Sequence, residues 1–128
     1  MKKIETFFDG KEGKIKERYY INEEGLKHGL YEEYYYTGSV STRLTYENGK
    51  KHGAYEEFSK DEDIEVTGTF KNNKLDGIYE KYDSNKKLSS RFTYKDGKRN
   101  GLCELFNQNG FHLDSAFYSD GEFICYAQ

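Results

Sequence analysis

Proline and tryptophan are absent from the chain, and cysteine occurs only twice among its 128 residues. Two thiols cannot build the disulfide framework of a small secreted domain, and without proline the turns must come from Gly, Asn and Asp. Long apolar runs are missing, which excludes a transmembrane helix. The opening stretch from Met1 to Gly10 carries basic residues but no apolar run of the kind a signal peptide needs, so a cytoplasmic protein is the expectation. No charge of one sign dominates either: 20 basic and 23 acidic side chains leave a net charge of -3. That balance argues against a nucleic-acid partner, because duplex affinity is driven by an excess of Lys and Arg. Val, Ile, Leu and Phe together number only 25, just under the roughly 20% below which a highly charged chain is expected to be disordered. What the chain has is aromatic: 13 tyrosines and 9 phenylalanines, half of its apolar residues. With so little net charge, regular placement of those rings decides in favour of a folded domain.

The placement is periodic. His28-Gly29, His52-Gly53, Asp76-Gly77 and Asn100-Gly101 recur every 24 residues, as do Gly25, Gly49, Asn73, Gly97 and Gly121. The one exception in the second set is Asn, the residue that next most readily takes a left-handed backbone. Rings keep the same period: Tyr31, Tyr55 and Tyr79 with Cys103; Tyr34, Phe58, Tyr82 and Phe106; Tyr46, Phe70, Tyr94 and Tyr118. Each unit holds two turn signals, one at Asn48-Gly49, Asn72-Asn73, Asp96-Gly97 and Asp120-Gly121, the other at Thr37-Gly38, Asn85-Lys86 and Asn109-Gly110. Asn-Gly and Asp-Gly are hairpin signals because a type I′ turn needs positive φ at both central residues. Lys60-Asp61-Glu62-Asp63 lacks Gly and is expected to form a looser turn.

The period therefore predicts an all-β fold: one single-layer antiparallel sheet of stacked β-hairpins, a single repeat domain over residues 1-128. Residues 1-24 form a degenerate N-terminal unit with a longer loop at Ile21-Asn22-Glu23-Glu24-Gly25, repeats occupy 25-48, 49-72, 73-96 and 97-120, and 121-128 supply a terminal strand. Two-residue turns at Asn48-Gly49 and Thr37-Gly38 place Tyr31, Val40, Leu44, Tyr46, Gly53 and Tyr55 on one face, and Leu30, Glu32, Tyr34, Arg43, Ala54 and Glu56 on the other. Leu44 is expected opposite Gly53, with large side chains lying over the glycine column. On the second face Glu32 should pair with Arg43 and Glu80 with Arg91, each pair worth at most about 1 kcal/mol.

Tyr46-Glu47-Asn48-Gly49-Lys50-Lys51-His52-Gly53-Ala54-Tyr55-Glu56-Glu57-Phe58, matched by Tyr94-Lys95-Asp96-Gly97-Lys98-Arg99-Asn100-Gly101, resembles the MORN repeat in its bacterial variant, over about residues 25-121. The resemblance implies an elongated, twisted sheet. It also implies a link to toxin-antitoxin and toxin-immunity gene pairs, and hence an antitoxin or immunity-type protein that binds and occludes a partner toxin. Asn73, Cys103 and the Asp61-Glu62-Asp63 turn depart from the motif, so partner-specific contacts are expected to concentrate there.

No catalytic, cofactor or metal site is expected. His28 and His52 share a repeat position, but strands two ladder steps apart are separated by roughly 9.6 Å, too far to share a zinc that needs ligands at about 2.0–2.1 Å. His112 has no evident partner. Cys103 and Cys125, on corresponding strands of successive units, exceed the roughly 7 Å limit for a bridge. The column Glu32, Glu56, Glu80 and Glu104 has a spacing near the inverting-glycosidase range, yet a regular exposed column lacks the two distinct environments that acid and base require. Its reading is either a solubilising column or, with Tyr34, Tyr36, Phe58 and Tyr82, an acidic aromatic surface that grips a basic protein partner such as a toxin. Lys27, Lys50, Lys51, Lys74, Lys98 and Arg99 follow one turn. They serve either as ordinary turn and edge chemistry or, as the alternative function, as a rim that associates with anionic lipid membranes. Toward the C-terminus Phe111, Leu113, Phe117, Phe123, Ile124 and Tyr126 accumulate, and Phe117 stands where earlier units have Thr45, Thr69 and Thr93. These six are expected to serve edge docking or self-association as a homodimer, or to be covered by a tail folding back.

Overall fold

The computed structural model describes residues 1–10 and 13–127. The strands are β1 (Lys2–Phe7), β2 (Ile15–Ile21), β3 (Gly29–Tyr34), β4 (Val40–Glu47), β5 (Lys50–Phe58), β6 (Ile64–Lys71), β7 (Lys74–Leu75), β8 (Gly77–Tyr82), β9 (Leu88–Lys95), β10 (Lys98–Phe106), β11 (His112–Ser119) and β12 (Glu122–Tyr126). They form one open antiparallel sheet in chain order, with β7 a short piece on β6 separated from β8 by Asp76. Among the described residues the only other element is a 3-10 turn at Phe8–Gly10, and no helix is long and apolar enough to cross a membrane. Eleven strands side by side at about 4.8 Å span roughly 50 Å. With a single layer the core is thin: among the described residues only Tyr31, Leu44, Val66 and Cys103 are buried among the apolar side chains, at 4–9% exposure.

The type I′ expectation holds in backbone angles. Asn48 and Gly49 lie at φ +48° and +86°, Asp96 and Gly97 at +51° and +84°, and Asn72 and Asn73 at +50° and +72°. The second residue of each such turn also ties one repeat to the one before. The N–H groups of Gly49, Asn73, Gly97 and Gly121 donate to the carbonyls of Lys27, Lys51, Leu75 and Arg99 at 2.8–2.9 Å.

The other turns differ from the two-residue expectation. In each, three residues close the loop: Tyr35 N–H donates to Ser39 C=O and Gly38 N–H to Tyr35 C=O, with Gly38 at positive φ. This is a type I turn followed by a left-handed residue. The Lys60-Asp61-Glu62-Asp63 turn is no looser than the rest. It has the same hydrogen bonds, puts Glu62 at φ +68° in the glycine's place, and is braced by the Ser59 hydroxyl accepting from the N–H groups of Asp61 and Asp63.

The register carries two kinds of shift. Tyr46 faces Lys51 but Leu44 faces Tyr55, not Gly53, so His52, Gly53 and Ala54 all lie against the single Thr45. The same two-residue shift recurs between β6 and β7–β8 and between β9 and β10. An even shift keeps side-chain parity, so the face assignment of the flanking residues survives. It also corrects the reason for the glycine column. Gly29, Gly53, Gly77 and Gly101 sit at φ +96° to +107° and pair with Tyr46, Phe70, Tyr94 and Tyr118 on the following strand, yet a Cβ added at the last three would meet Thr45, Thr69 and Thr93 and no ring. Backbone conformation selects glycine there. A ring does roof a glycine at Gly68, outside that column, where an added Cβ would meet Tyr79 Cδ2 at 3.0 Å. The second kind of shift is a one-residue bulge. It pairs Tyr34 with Val40, Phe58 with Ile64, Tyr82 with Leu88 and Phe106 with His112. An odd shift moves Val40 from the face of Tyr31 to that of Tyr34.

Candidate functional site

The first face is aromatic. Tyr31 packs on Tyr46, Tyr55 on Phe70 and Tyr79 on Tyr94, edge to face with centroids 5.3–5.8 Å apart, arrangements worth about 0.5–1.5 kcal/mol beyond area burial. The six cations of the rim divide between this face and solvent. Lys27 Nζ lies 4.8–5.3 Å from the centroids of Tyr19, Tyr31 and Tyr46, Lys51 Nζ 5.1 Å from Phe70, and Arg99 Cζ 4.5 Å from Phe92 and 5.4 Å from Tyr118. Lys50, Lys74 and Lys98 are exposed, the stems of the latter two packing over the turn glycines Gly97 and Gly121.

Carboxylates answer the phenols of the first face. Tyr31 donates to Glu17 and, at 2.8 Å, to Glu33, while Thr6 Oγ1 donates to Glu17 at 3.0 Å. Glu17 and Glu33 face each other across β2 and β3, a like-charge pair that the shared hydroxyl bridges. The hydrogen bond from Tyr31 holds the Glu17 carboxyl below its ordinary range, and burial followed by these two carboxylates pushes the Tyr31 phenol up. Tyr55 is raised the same way, by burial and then by its bond to Glu57. The period marks the tyrosines of this cluster but not its carboxylates: Lys81 and Leu105 stand in phase with Glu33 and Glu57, and Glu17 lies in the unit whose loop carries the extra residue.

On the second face one residue per strand forms a continuous row: Glu5, Arg18, Glu32, Arg43, Glu56, Thr67, Glu80, Arg91 and Glu104. Each arginine binds the preceding glutamate, Arg18–Glu5 at 3.0 Å, Arg43–Glu32 at 3.2 Å and Arg91–Glu80 at 2.9 Å. Arg43 and Arg91 also approach the following Glu56 and Glu104, at 3.9 and 3.7 Å. Each guanidinium lies over a ring of the adjoining row as well: Arg18 over Tyr34, Arg43 over Phe58 and Arg91 over Phe106, at 5.5–5.9 Å. The Glu column thus belongs to a charge-paired ladder. Five carboxylates face three guanidinium groups, and the break is at Thr67, which stands where the period calls for arginine. Among the described residues Glu56 there has only the 3.9 Å approach of Arg43, and the Tyr82 ring has no cation over it. Tyr36 stands apart from this surface: it is 58% exposed in its loop and meets Phe8 and Lys14.

The bulge at Phe106 gives His112 two partners: its ring packs edge to face on Phe106 at 5.7 Å and its Nε2 lies 3.9 Å from Glu104. His28 Nδ1 accepts from the Asn48 N–H at 3.1 Å, a turn-bracing role. Both cysteines are free thiols, Cys103 buried and Cys125 exposed. At the C-terminal end Phe111, Leu113, Phe117, Phe123, Ile124 and Tyr126 are all 41–68% exposed.

No curated protein matches the sequence. Among solved structures, the crystal structure of TarM is similar over 97% of this chain at 14% identity with a TM-score of 0.47, and the chain spans 21% of that protein's chain. The model of the MORN repeat variant family matches residues 27–48 and 75–96. The matched segments are the two hairpins that keep both the strand tyrosine (Tyr31, Tyr79) and the Glu–Arg pair (Glu32–Arg43, Glu80–Arg91). Two of the hairpins are therefore similar to MORN-variant repeats, and repeats of that kind are generally modules for binding.

Proposed function

We propose that this chain is a non-enzymatic protein-binding repeat module whose second face takes a basic partner, and that the partner is a toxin which the sheet occludes. One observation carries the basic-partner reading: the ladder break at Thr67. Glu56, Glu80 and the Tyr82 ring there present the partners that Arg18, Arg43 and Arg91 use elsewhere on the same face. A guanidinium from a partner would complete the row, binding Glu56 as Arg43 binds Glu32 and covering Tyr82 as Arg43 covers Phe58. The toxin is suggested by the resemblance of residues 46–58 to the bacterial MORN variant.

The test is co-purification with the product of the neighbouring gene, alongside titration of N-acetyl-arginine amide followed by NMR. Thr67→Arg should fill the break, weaken partner binding at least tenfold and raise the melting temperature. Reversing Glu56 and Glu80 to Lys should abolish binding. Undiminished binding by Thr67→Arg would remove the ladder from the mechanism.

The exposed residues of β11 and β12 favour a second reading, self-association through that end. Sedimentation across concentrations should then show a dimer that Phe117→Ser with Ile124→Ser dissolves, and a monomer at every concentration would refute it.

A further inference from the structure

Three repeats on the first face close on a ring pair, Tyr31–Tyr46, Tyr55–Phe70 and Tyr79–Tyr94. In the fourth the equivalent pair is residue 103 with Tyr118, and residue 103 is cysteine. Its neighbour across the strands is small too: Ala116 faces Cys103 where Leu44 faces Tyr31 and Phe92 faces Tyr79, and the one smaller equivalent, Gly68 facing Tyr55, is covered by the Tyr79 ring. Two truncations side by side leave an open cavity of about 270 Å³, lined by Phe92, Cys103, Asp114, Ala116, Tyr118 and Tyr126 among others. It falls just under the ~300 Å³ at which small-molecule clefts begin, a size for one side chain rather than a cofactor.

The first repeat shows a filled version of this position, a phenol whose hydroxyl meets carboxylates, Tyr31 with Glu17 and Glu33; the second keeps Glu57 for Tyr55, and in the third Lys81 stands there instead, over the Tyr79 ring. In the fourth repeat Leu105 replaces that glutamate, but Asp114, its partner across β10 and β11, restores a carboxylate at the cavity wall. The cation over the rings is already supplied by Arg99, against Phe92 and Tyr118. The ring at position 103 is missing, and Tyr118 meets Phe123 at 6.0 Å from the other hairpin strand instead.

We propose that this cavity binds the side chain of a tyrosine presented by a partner polypeptide, the guest ring packing on Tyr118 and its hydroxyl donating to the Asp114 carboxylate. The proposal rests on the reading of the chain as a protein-binding module but uses the opposite face from the Thr67 break. Its test needs no basic partner, so a chain that binds one probe and not the other separates the two.

The probe is p-cresol, a tyrosine side chain cut at Cβ, titrated into the full chain with labelled methyl groups. Saturable shifts are expected at the Ala116 methyl. 4-Methylanisole, which cannot donate a hydrogen bond to Asp114, should bind roughly tenfold more weakly. Cys103→Tyr and, independently, Ala116→Leu should remove the shifts by filling the cavity, so misfolding of one variant leaves the other to decide. The absence of saturable shifts in the unmodified chain would overturn the proposal, as would equal affinity for the two probes. So would binding that persists in both folded filled variants, or binding that appears only after Tyr126→Ala, which would mean that the Tyr126 ring closes the cavity itself.

Discussion

Replacing Gly53 with alanine tests why the glycine column exists. At φ +107° an added Cβ meets nothing closer than Thr45 Cβ at 3.6 Å, an ordinary contact, so the cost must come from the backbone. Holding an L-residue in such a conformation costs about 1–3 kcal/mol. Stiffening the unfolded chain returns about 0.4–1 kcal/mol, which leaves a net loss of about 1–2 kcal/mol. With an unfolding entropy of about 2.1 cal/mol/K per residue, one kcal/mol shifts the melting temperature of a 128-residue chain by ~4 °C. Gly53→Ala should therefore melt about 4–8 °C lower in a calorimetric or circular-dichroism scan. The decisive comparison is a second substitution opposite each glycine. If glycine were present to make room, Thr45→Ala would rescue Gly53→Ala; with a backbone cause it does not. Gly68→Ala is the contrasting case: its φ is not in the left-handed region and its Cβ would strike Tyr79 Cδ2 at 3.0 Å, so Tyr79→Ala should recover most of the loss there. Rescue of Gly53→Ala by Thr45→Ala would refute the reasoning.

Removing Arg91 leaves Glu80 and Glu104 without their shared guanidinium. Arg91→Gln should cost about 1 kcal/mol, less in high salt because the pair is part-exposed, and denaturant melts at two ionic strengths would show both effects. Glu17 has a folded pKa below its unfolded value of 4.5, so it adds stability above that pH and loses it as the pH falls through the folded value. Tyr31→Phe, which removes the cause of that shift, should flatten the acid limb of the stability–pH profile below about pH 4.5. The raised phenols of Tyr31 and Tyr55 act at the other end. Their contribution is full below the unfolded value of 10.0 and is lost as pH rises through the folded values, so part of the phenolate absorbance should appear only together with loss of the β-sheet signal. Cys125 stands at the repeat position of Gly53, Gly77 and Gly101, and the hairpin of β11 and β12 shifts by one residue, pairing Tyr126 with Ala116. Cys125→Gly should allow the two-residue shift of the other repeats and pair Tyr126 with Phe117, visible as the exchange of a Tyr126–Ala116 nuclear Overhauser effect for a Tyr126–Phe117 one.

Much of this sheet is legible in the 24-residue period. Asn48-Gly49 and Asp96-Gly97 announce type I′ turns because few residues tolerate positive φ twice in succession, and the turns fix which residues share a face. The pairs Glu32–Arg43 and Glu80–Arg91 follow from that register and are present. The register is only partly legible. A glycine that lets three residues lie against Thr45 and a glycine that makes room for a ring leave the same mark in a sequence, and only the backbone angle tells them apart. The parity of Leu44, Tyr46 and Tyr55 survived because the shift there is two. Val40 lies on the other side because its shift is one, and nothing local signals a bulge beyond a loop three residues long instead of two. The break at Thr67 could have been seen by setting Arg43, Thr67 and Arg91 in phase. The pairing of Glu17 with Tyr31 could not, because it crosses the irregular loop at residues 22–25.

The departures from the repeat carry the functional reading for an energetic reason. An arginine at position 67 would gain an ion pair and a ring contact, and a tyrosine at position 103 would gain an edge-to-face pair worth about 0.5–1.5 kcal/mol. The chain forgoes both in a sheet with only four buried apolar side chains among its described residues, where such terms are a large share of the stability. Each omission leaves a place already furnished with the partners of the missing group: Glu56, Glu80 and Tyr82 on one face, Tyr118, Asp114 and Arg99 on the other. A random lesion in a repeat would expose unmatched groups of no particular kind. These two instead expose the complement of one guanidinium and one phenol, the side chains that supply much of the binding energy at protein interfaces.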